Sequence, residues 1–170
     1  VYEAFNMASL WGLPILYIIE NNEYAMGTSV KRSTAATELF RRGESLGIQG
    51  EQVNGMDVLE VMEKGRRAVE RVRKGEPFIL EMKTYRYRGH SMSDPAKYRT
   101  RDEVEDYREH RDPIEGLKKR ALAAGVCKET DFDPIDEEIK KIVNDAAEFA
   151  KESPEPDLSE LWTDVYTGGN

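Results

Sequence analysis

The chain has 170 residues, 39% hydrophobic and 34% charged, which suffices for one ordinary globular core and is short for two. Its net charge of −8 argues against a general nucleic-acid binder, and no apolar run approaches the ~18 residues that span a bilayer. The single cysteine, Cys127, leaves no internal disulfide to form and fits a reducing compartment.

Val1 opens directly into an amphipathic helix pattern with Phe5, Met7, Ala8 and Trp11 to one side, and no Ser, Thr, Asp or Asn precedes it as a cap. The expectation is a cut chain, with no secretory leader. Leu13 to Ile19 is a nearly continuous apolar run bounded by Gly12 and Asn21-Asn22, and reads as a central parallel strand. A loop rich in Gly, Ser and Thr follows from Glu23 to Ala36. Thr37 to Leu46 is helix-like, and Ile48 to Val53 is a short strand. From Asp57 to Arg73, Val58, Leu59, Met62, Val69 and Val72 recur at helical spacing, with Asp57 and Glu60 resembling a capping box. Pro77 to Thr84 is a second buried strand. Strand, helix, strand in this order predicts βαβ units, hence an α/β fold with a parallel sheet and flanking helices.

Tyr85 to Thr100 is long, polar and without periodicity. A helix is expected from Asp102 to Ala124, and another from Asp133-Pro134, a cap followed by proline at the first helical position. The second helix places Ile135, Ile139, Ile142, Val143, Ala146 and Phe149 on one face. Ser153-Pro154-Glu155-Pro156 ends it, and a tail with Trp162 and Tyr166 remains. The expected organisation is an α/β part over residues 1–100 and a C-terminal helical extension over residues 101–170.

Two segments could carry chemistry. Glu20-Asn21-Asn22-Glu23-Tyr24 lies just past an apolar strand, where open α/β sheets bind ligands. An Asn oxygen and a backbone carbonyl two residues on suit Mg²⁺ when a diphosphate supplies the negative charge. Alone, the pair reads first as a common turn. Arg86-Tyr87-Arg88-Gly89-His90-Ser91-Met92-Ser93-Asp94 follows the other buried strand. Histidine there suits holding a phosphate oxygen or moving a proton, and the arginines suit an anion. The plain alternative is a solvated basic loop. His110, between Glu109 and Arg111, reads as a surface helix residue. Zinc spacing, a P-loop, GxGxxG and GxSxG are all missing from the sequence.

Taken together, these stretches are recognisable. Ile19-Glu20-Asn21-Asn22-Glu23-Tyr24-Ala25-Met26-Gly27-Thr28 resembles the close of the thiamine diphosphate motif, which starts with Gly-Asp-Gly and ends with Asn-Asn. Val53 to Asp57 and Thr84 to Pro95 are similar to stretches of the alpha subunits of thiamine-diphosphate-dependent 2-oxo acid dehydrogenases, those acting on pyruvate above all. The likeness continues through Tyr98-Arg99-Thr100-Arg101 and Asp112-Pro113-Ile114 to Leu161-Trp162.

The resemblance implies Mg²⁺ binding through the Asn22 side chain and the Tyr24 carbonyl. It places His90 at the diphosphate and the pyruvate-derived intermediate, with Arg86 ordering that loop. It implies thiamine diphosphate and Mg²⁺ as cofactors, a beta subunit completing the site in a heterotetramer, and transfer of the acyl group to a lipoyl acyltransferase component. Ser91 and Ser29 match serines phosphorylated in mitochondrial relatives, and a phosphate at Ser91 would repel an anionic ligand beside His90. A further such position is lost in the shortened Ala96-Lys97-Tyr98 stretch, which leans towards a bacterial, cytoplasmic protein, with the mitochondrial matrix as the eukaryotic alternative. Branched-chain relatives usually carry a doubled His where this chain has Arg88-Gly89-His90, which favours pyruvate. The Gly-Asp-Gly opening, whose Asp would be the charged Mg²⁺ ligand, is not in these 170 residues. The chain alone is therefore expected to be inactive; the alternative from a different class is that it serves, as it stands, only as a folded scaffold or interaction module, and self-association through an uncovered sheet edge is a further expectation.

Overall fold

The computed structural model describes residues 1–163, 165 and 167; Tyr166, expected in the tail, lies outside the described residues. Two compact units divide the chain after Ala123.

In the first unit, α1 (Tyr2–Trp11) buries Phe5 and Ala8. Gly12 closes it at φ 60, a left-handed geometry that costs glycine nothing, and its N–H reaches the carbonyls of Ala8 and Ser9. β1 (Leu16–Asn21) follows, and then a small hairpin of β2 (Tyr24–Ala25) and β3 (Thr28–Ser29). A single turn, α2 (Val30–Ser33), leads to a 3₁₀ helix over Leu39–Leu46, where a helical pattern was expected. β4 (Gln49–Asn54), α3 (Val58–Val72) and β5 (Phe78–Lys83) form the βαβ unit that the periodicity predicts.

The sheet is parallel with order β1-β5-β4. The central place belongs to β5, and β1 lies at one side with Ile18 53% exposed. This explains why residues 78–81 are buried on both faces of the strand. Phe78 and Leu80 pack on α3 with Val53, Ala68 and Val72. Ile79 points to the opposite layer, with Phe5, Ile48, Phe40 and Leu46.

Only half of the expected capping box at α3 forms. Asp57 Oδ1 accepts from the N–H groups of Leu59 (3.0 Å) and Glu60 (3.2 Å), but Glu60 Oε1 receives the N–H of Asn54 (3.3 Å) instead of that of Asp57. These backbone donors, Glu60 first, and the Arg120 guanidinium at 2.8 Å hold the Asp57 carboxyl below its usual range despite partial burial. A depressed folded value means that its stabilisation is present above the unfolded value of 3.8 and is lost as pH falls through the folded one. Asp57→Ala is expected to cost about 1 kcal/mol at neutral pH, read from the urea midpoint.

The helix expected from 102 to 124 is two helices, α4 (Arg101–His110) and α5 (Pro113–Ala123). Pro113 has no N–H for an uninterrupted helix and restricts Asp112 to an extended backbone. Asp112 Oδ1 then accepts from Ile114 (2.9 Å) and Glu115 (3.1 Å) and starts the next helix. In the second unit, α6 (Asp133–Glu152) includes Asp133 in its first turn; the N-cap is Phe132 and makes no side-chain cap bond, so Asp133 is not the cap that the pattern suggests. Its carboxylate still sits where the helix dipole favours a negative charge.

Candidate active site

Asn21 and Lys83 are register partners at the carboxyl ends of β1 and β5, so the two segments singled out by sequence leave the sheet side by side. The Thr84 N–H donates to the Asn21 carbonyl at 2.9 Å, which carries the pairing one residue past the strands. This is the place where a parallel sheet offers a ligand its loop ends.

A buried polar pair anchors the first segment. Asn21 Nδ2 donates to Glu81 Oε1 at 2.7 Å, and Glu81, 0% exposed, also accepts the Phe40 N–H at 3.0 Å. Asn21 Oδ1 accepts the N–H of Glu23 at 3.1 Å, which supports Glu23 in a left-handed backbone at φ 65. That turn aims Asn22 back over β5, where its Oδ1 accepts from Thr84 Oγ1 at 2.7 Å. Glu23 pairs with Lys83 at 3.0 Å, and this contact raises the lysine's proton affinity.

Tyr24 begins the hairpin, with Ser29 as its register partner. Its hydroxyl and that of Tyr85 both donate to Glu103 Oε1, at 3.2 and 3.0 Å. Burial, and then the hydrogen bond to Glu103, push the Tyr85 phenol up to about 12. Burial and Asp112, 3.0 Å away, do the same for Tyr87. Because both phenols titrate above the ordinary 10.0, their stabilisation is complete below pH 10 and declines as pH rises towards 12. The ultraviolet phenolate signal of Tyr85→Phe and Tyr87→Phe variants is expected to lose a late-titrating component, and native stability is expected to fall over that interval.

The loop from Gly89 to Tyr98 is folded around Asp94. One of its oxygens accepts the His90 N–H (2.7 Å) and the Tyr98 hydroxyl (2.9 Å), and the other accepts the Ala96 N–H (2.9 Å). The His90 and Ala96 N–H groups, in that order, lower the Asp94 carboxyl. Gly89 is required here, since a Cβ would lie 2.8 Å from the Asp94 carbonyl oxygen. His90 itself is exposed, as is Ser91, whose Oγ lies 3.0 Å from Ser93 Oγ. Arg86 has an exposed side chain, and its contact with the fold is its carbonyl, which accepts from Arg99 Nη1.

The structure thus brings Asn22 and Tyr24 onto one turn and starts the Arg86–His90 loop from the adjacent strand. Sequence reasoning missed Glu81 and Glu103, and took Thr84 and Arg99 only as parts of recognisable stretches. Thr100-x-x-Glu103 is a capping pattern that could have pointed to the start of α4, since Thr100 Oγ1 accepts the Glu103 N–H at 3.1 Å.

The donor set at the β1 turn is compatible with a hard cation that arrives with anionic oxygens of its own. Asn22 Oδ1 is a neutral oxygen with one accepted hydrogen bond and a lone pair remaining, while the nearby Glu23 carboxylate is engaged by Lys83. Among the described residues no cluster of three or more His, Cys, Asp or Glu could hold a metal unaided.

Residues 1–159 match the family described as "Dehydrogenase E1 component". The chain belongs to the dehydrogenase E1 component family. It is 57% identical over 166 residues to the "Pyruvate dehydrogenase E1 component subunit alpha" of Rhizobium meliloti (strain 1021), covering 97% of this chain and 48% of that protein. The protein of the same name from Rickettsia bellii (strain RML369-C) is 56% identical over 167 residues, 98% of this chain and 51% of the relative. The mitochondrial one of Schizosaccharomyces pombe is 48% identical over 172 aligned residues, 99% of this chain and 42% of the relative. The chain spans about half the length of the relatives it matches. In this E1 family chain, no described helix is long and apolar enough to cross a membrane.

Proposed function

We propose that this chain is part of the alpha subunit of a pyruvate dehydrogenase, carrying the closing half of a magnesium–diphosphate site. The observation that supports it best is the Asn22–Thr84 contact across the carboxyl ends of β1 and β5, on the turn that leads directly into Tyr24. Asn22 Oδ1 and the Tyr24 carbonyl are the cation ligands in this reading. His90 faces the diphosphate and the reacting 2-oxo acid and holds or moves a proton there, while Arg86 and Arg88 favour anions near the loop. Thiamine diphosphate, when bound, supplies the carbanion chemistry, and the protein positions and polarises it.

A beta subunit completes the site in a heterotetramer, and a lipoyl acyltransferase component receives the acetyl group. A bacterial cytoplasm is the proposed setting, with the mitochondrial matrix as the alternative. Ser91 and Ser29 are proposed phosphorylation positions. A phosphate of about −1.5 to −2 charges at Ser91 would stand one residue from His90 and weaken binding of an anionic ligand by repulsion. The isolated 170 residues contain no Gly-Asp-Gly and are expected to turn over no pyruvate.

The test is reconstitution of the full-length alpha subunit with its beta subunit, and comparison of rates on pyruvate and 2-oxoisovalerate with an artificial electron acceptor. A higher rate with pyruvate is expected. Preference for 2-oxoisovalerate would move the chain to the branched-chain enzymes, and turnover by the isolated chain would refute the divided site.

A further inference from the structure

Three polar side chains are buried among the described residues: Asn21, Glu81 and Arg99. The first two satisfy each other. Arg99 is explained neither by the sheet nor by the proposed cation ligands. Its guanidinium carbon lies 5.7 Å from the ring centroid of Tyr24, 5.3 Å from that of Tyr85 and 5.4 Å from that of Tyr98. Nη1 donates to the Arg86 carbonyl and Nη2 to the Tyr87 carbonyl at 3.4 Å, while Nε is buried without a partner.

A buried cation is expensive, and its cost here is offset by three aromatic faces and two carbonyls. Those partners come from two segments. Tyr24 belongs to the turn after β1, and Arg86 and Tyr87 open the loop that carries His90. Glu103 closes the arrangement from α4 by accepting both the Tyr24 and the Tyr85 hydroxyls. Lysine could not replace this grouping, because a single ammonium does not reach two carbonyls in a fixed plane while lying against the rings.

We infer that Arg99 is a positioning residue that couples the His90 loop to the Tyr24 turn, so that a ligand ordering one orders the other. The inference rests on the proposed magnesium–diphosphate site and adds a mechanical link to it. In that site the Tyr24 carbonyl would hold the cation, while the Tyr24 ring lies against Arg99 and Arg99 holds the backbone at the root of the loop. Ligand binding at the turn thereby selects one loop arrangement.

The test uses the assembled full-length enzyme and amide hydrogen exchange, with and without thiamine diphosphate and Mg²⁺. In the native enzyme the cofactor is expected to slow exchange at residues 23–30 and at residues 86–98 together. In Arg99→Lys, protection at 23–30 is expected to persist, while the cofactor-induced protection at 86–98 falls about tenfold. A merely structural role would raise exchange equally with and without cofactor. If Arg99→Lys fails to assemble, Tyr24→Leu keeps the carbonyl and removes the ring, and the same split is expected. Full cofactor-induced protection at 86–98 in either variant overturns the inference. A native enzyme that binds no cofactor overturns the site reading first, and the coupling falls with it.

Discussion

Replacing His90 by alanine in the assembled enzyme is expected to lower turnover with pyruvate by about two to four orders of magnitude. The imidazole is exposed, and the residue's tie to the fold is its backbone N–H, which donates to Asp94 at 2.7 Å. Alanine retains that N–H, so the loop keeps its Asp94-centred conformation, and stability is expected to change by no more than about 0.5 kcal/mol. Cofactor affinity should weaken far less than turnover, because the cation ligands are on the other turn. The check is steady-state kinetics alongside a calorimetric cofactor titration. Turnover within a few-fold of native would show that the loop's histidine takes no part in the chemistry.

The second large effect is on stability. Glu81→Ala removes a fully buried carboxyl from the central strand and leaves a buried donor, Asn21 Nδ2, and a partly buried one, the Phe40 N–H, without their acceptor. Each such orphan costs roughly 1–3 kcal/mol, and the vacated volume adds to it, so a total of about 3–5 kcal/mol is expected. Glu81→Gln should lose roughly half as much, because its amide offers one acceptor oxygen and turns a donor towards the other N–H. Urea midpoints of the two variants should fall in that order. The effect should also reach the site, since Asn21 sets the turn that presents Asn22. Equal midpoints for Glu81→Ala and the native protein would mean that the pair contributes nothing.

The sheet was legible because β5 is buried on both faces and α3 repeats apolar residues at helical spacing, and both are local signals. The break between α4 and α5 was missed: residues 102–124 read as one helix, although Asp112-Pro113, the same pair of residue types that opens α6, carries the signal for a second start. Asn22, Tyr24 and His90 were singled out through their positions after apolar strands and through resemblance. What joins them was not readable. Asn21 meets Glu81 across 60 residues, and Tyr24 meets Glu103 across 79. A glutamate inside an apolar strand is a faint sign of a buried network, but its partners are fixed only when β1 and β5 pair. Arg99 stands in a polar, aperiodic stretch, and nothing local distinguishes it from Arg101, which is exposed at the start of α4.

The most direct test of the divided-site account is calorimetric titration of Mg²⁺ and thiamine diphosphate into the assembled enzyme, native and with Asn22→Ala. The account predicts clear binding by the native enzyme and an affinity for the Mg²⁺–cofactor pair that is weaker by roughly tenfold or more in the variant. Native-strength binding by Asn22→Ala would contradict it.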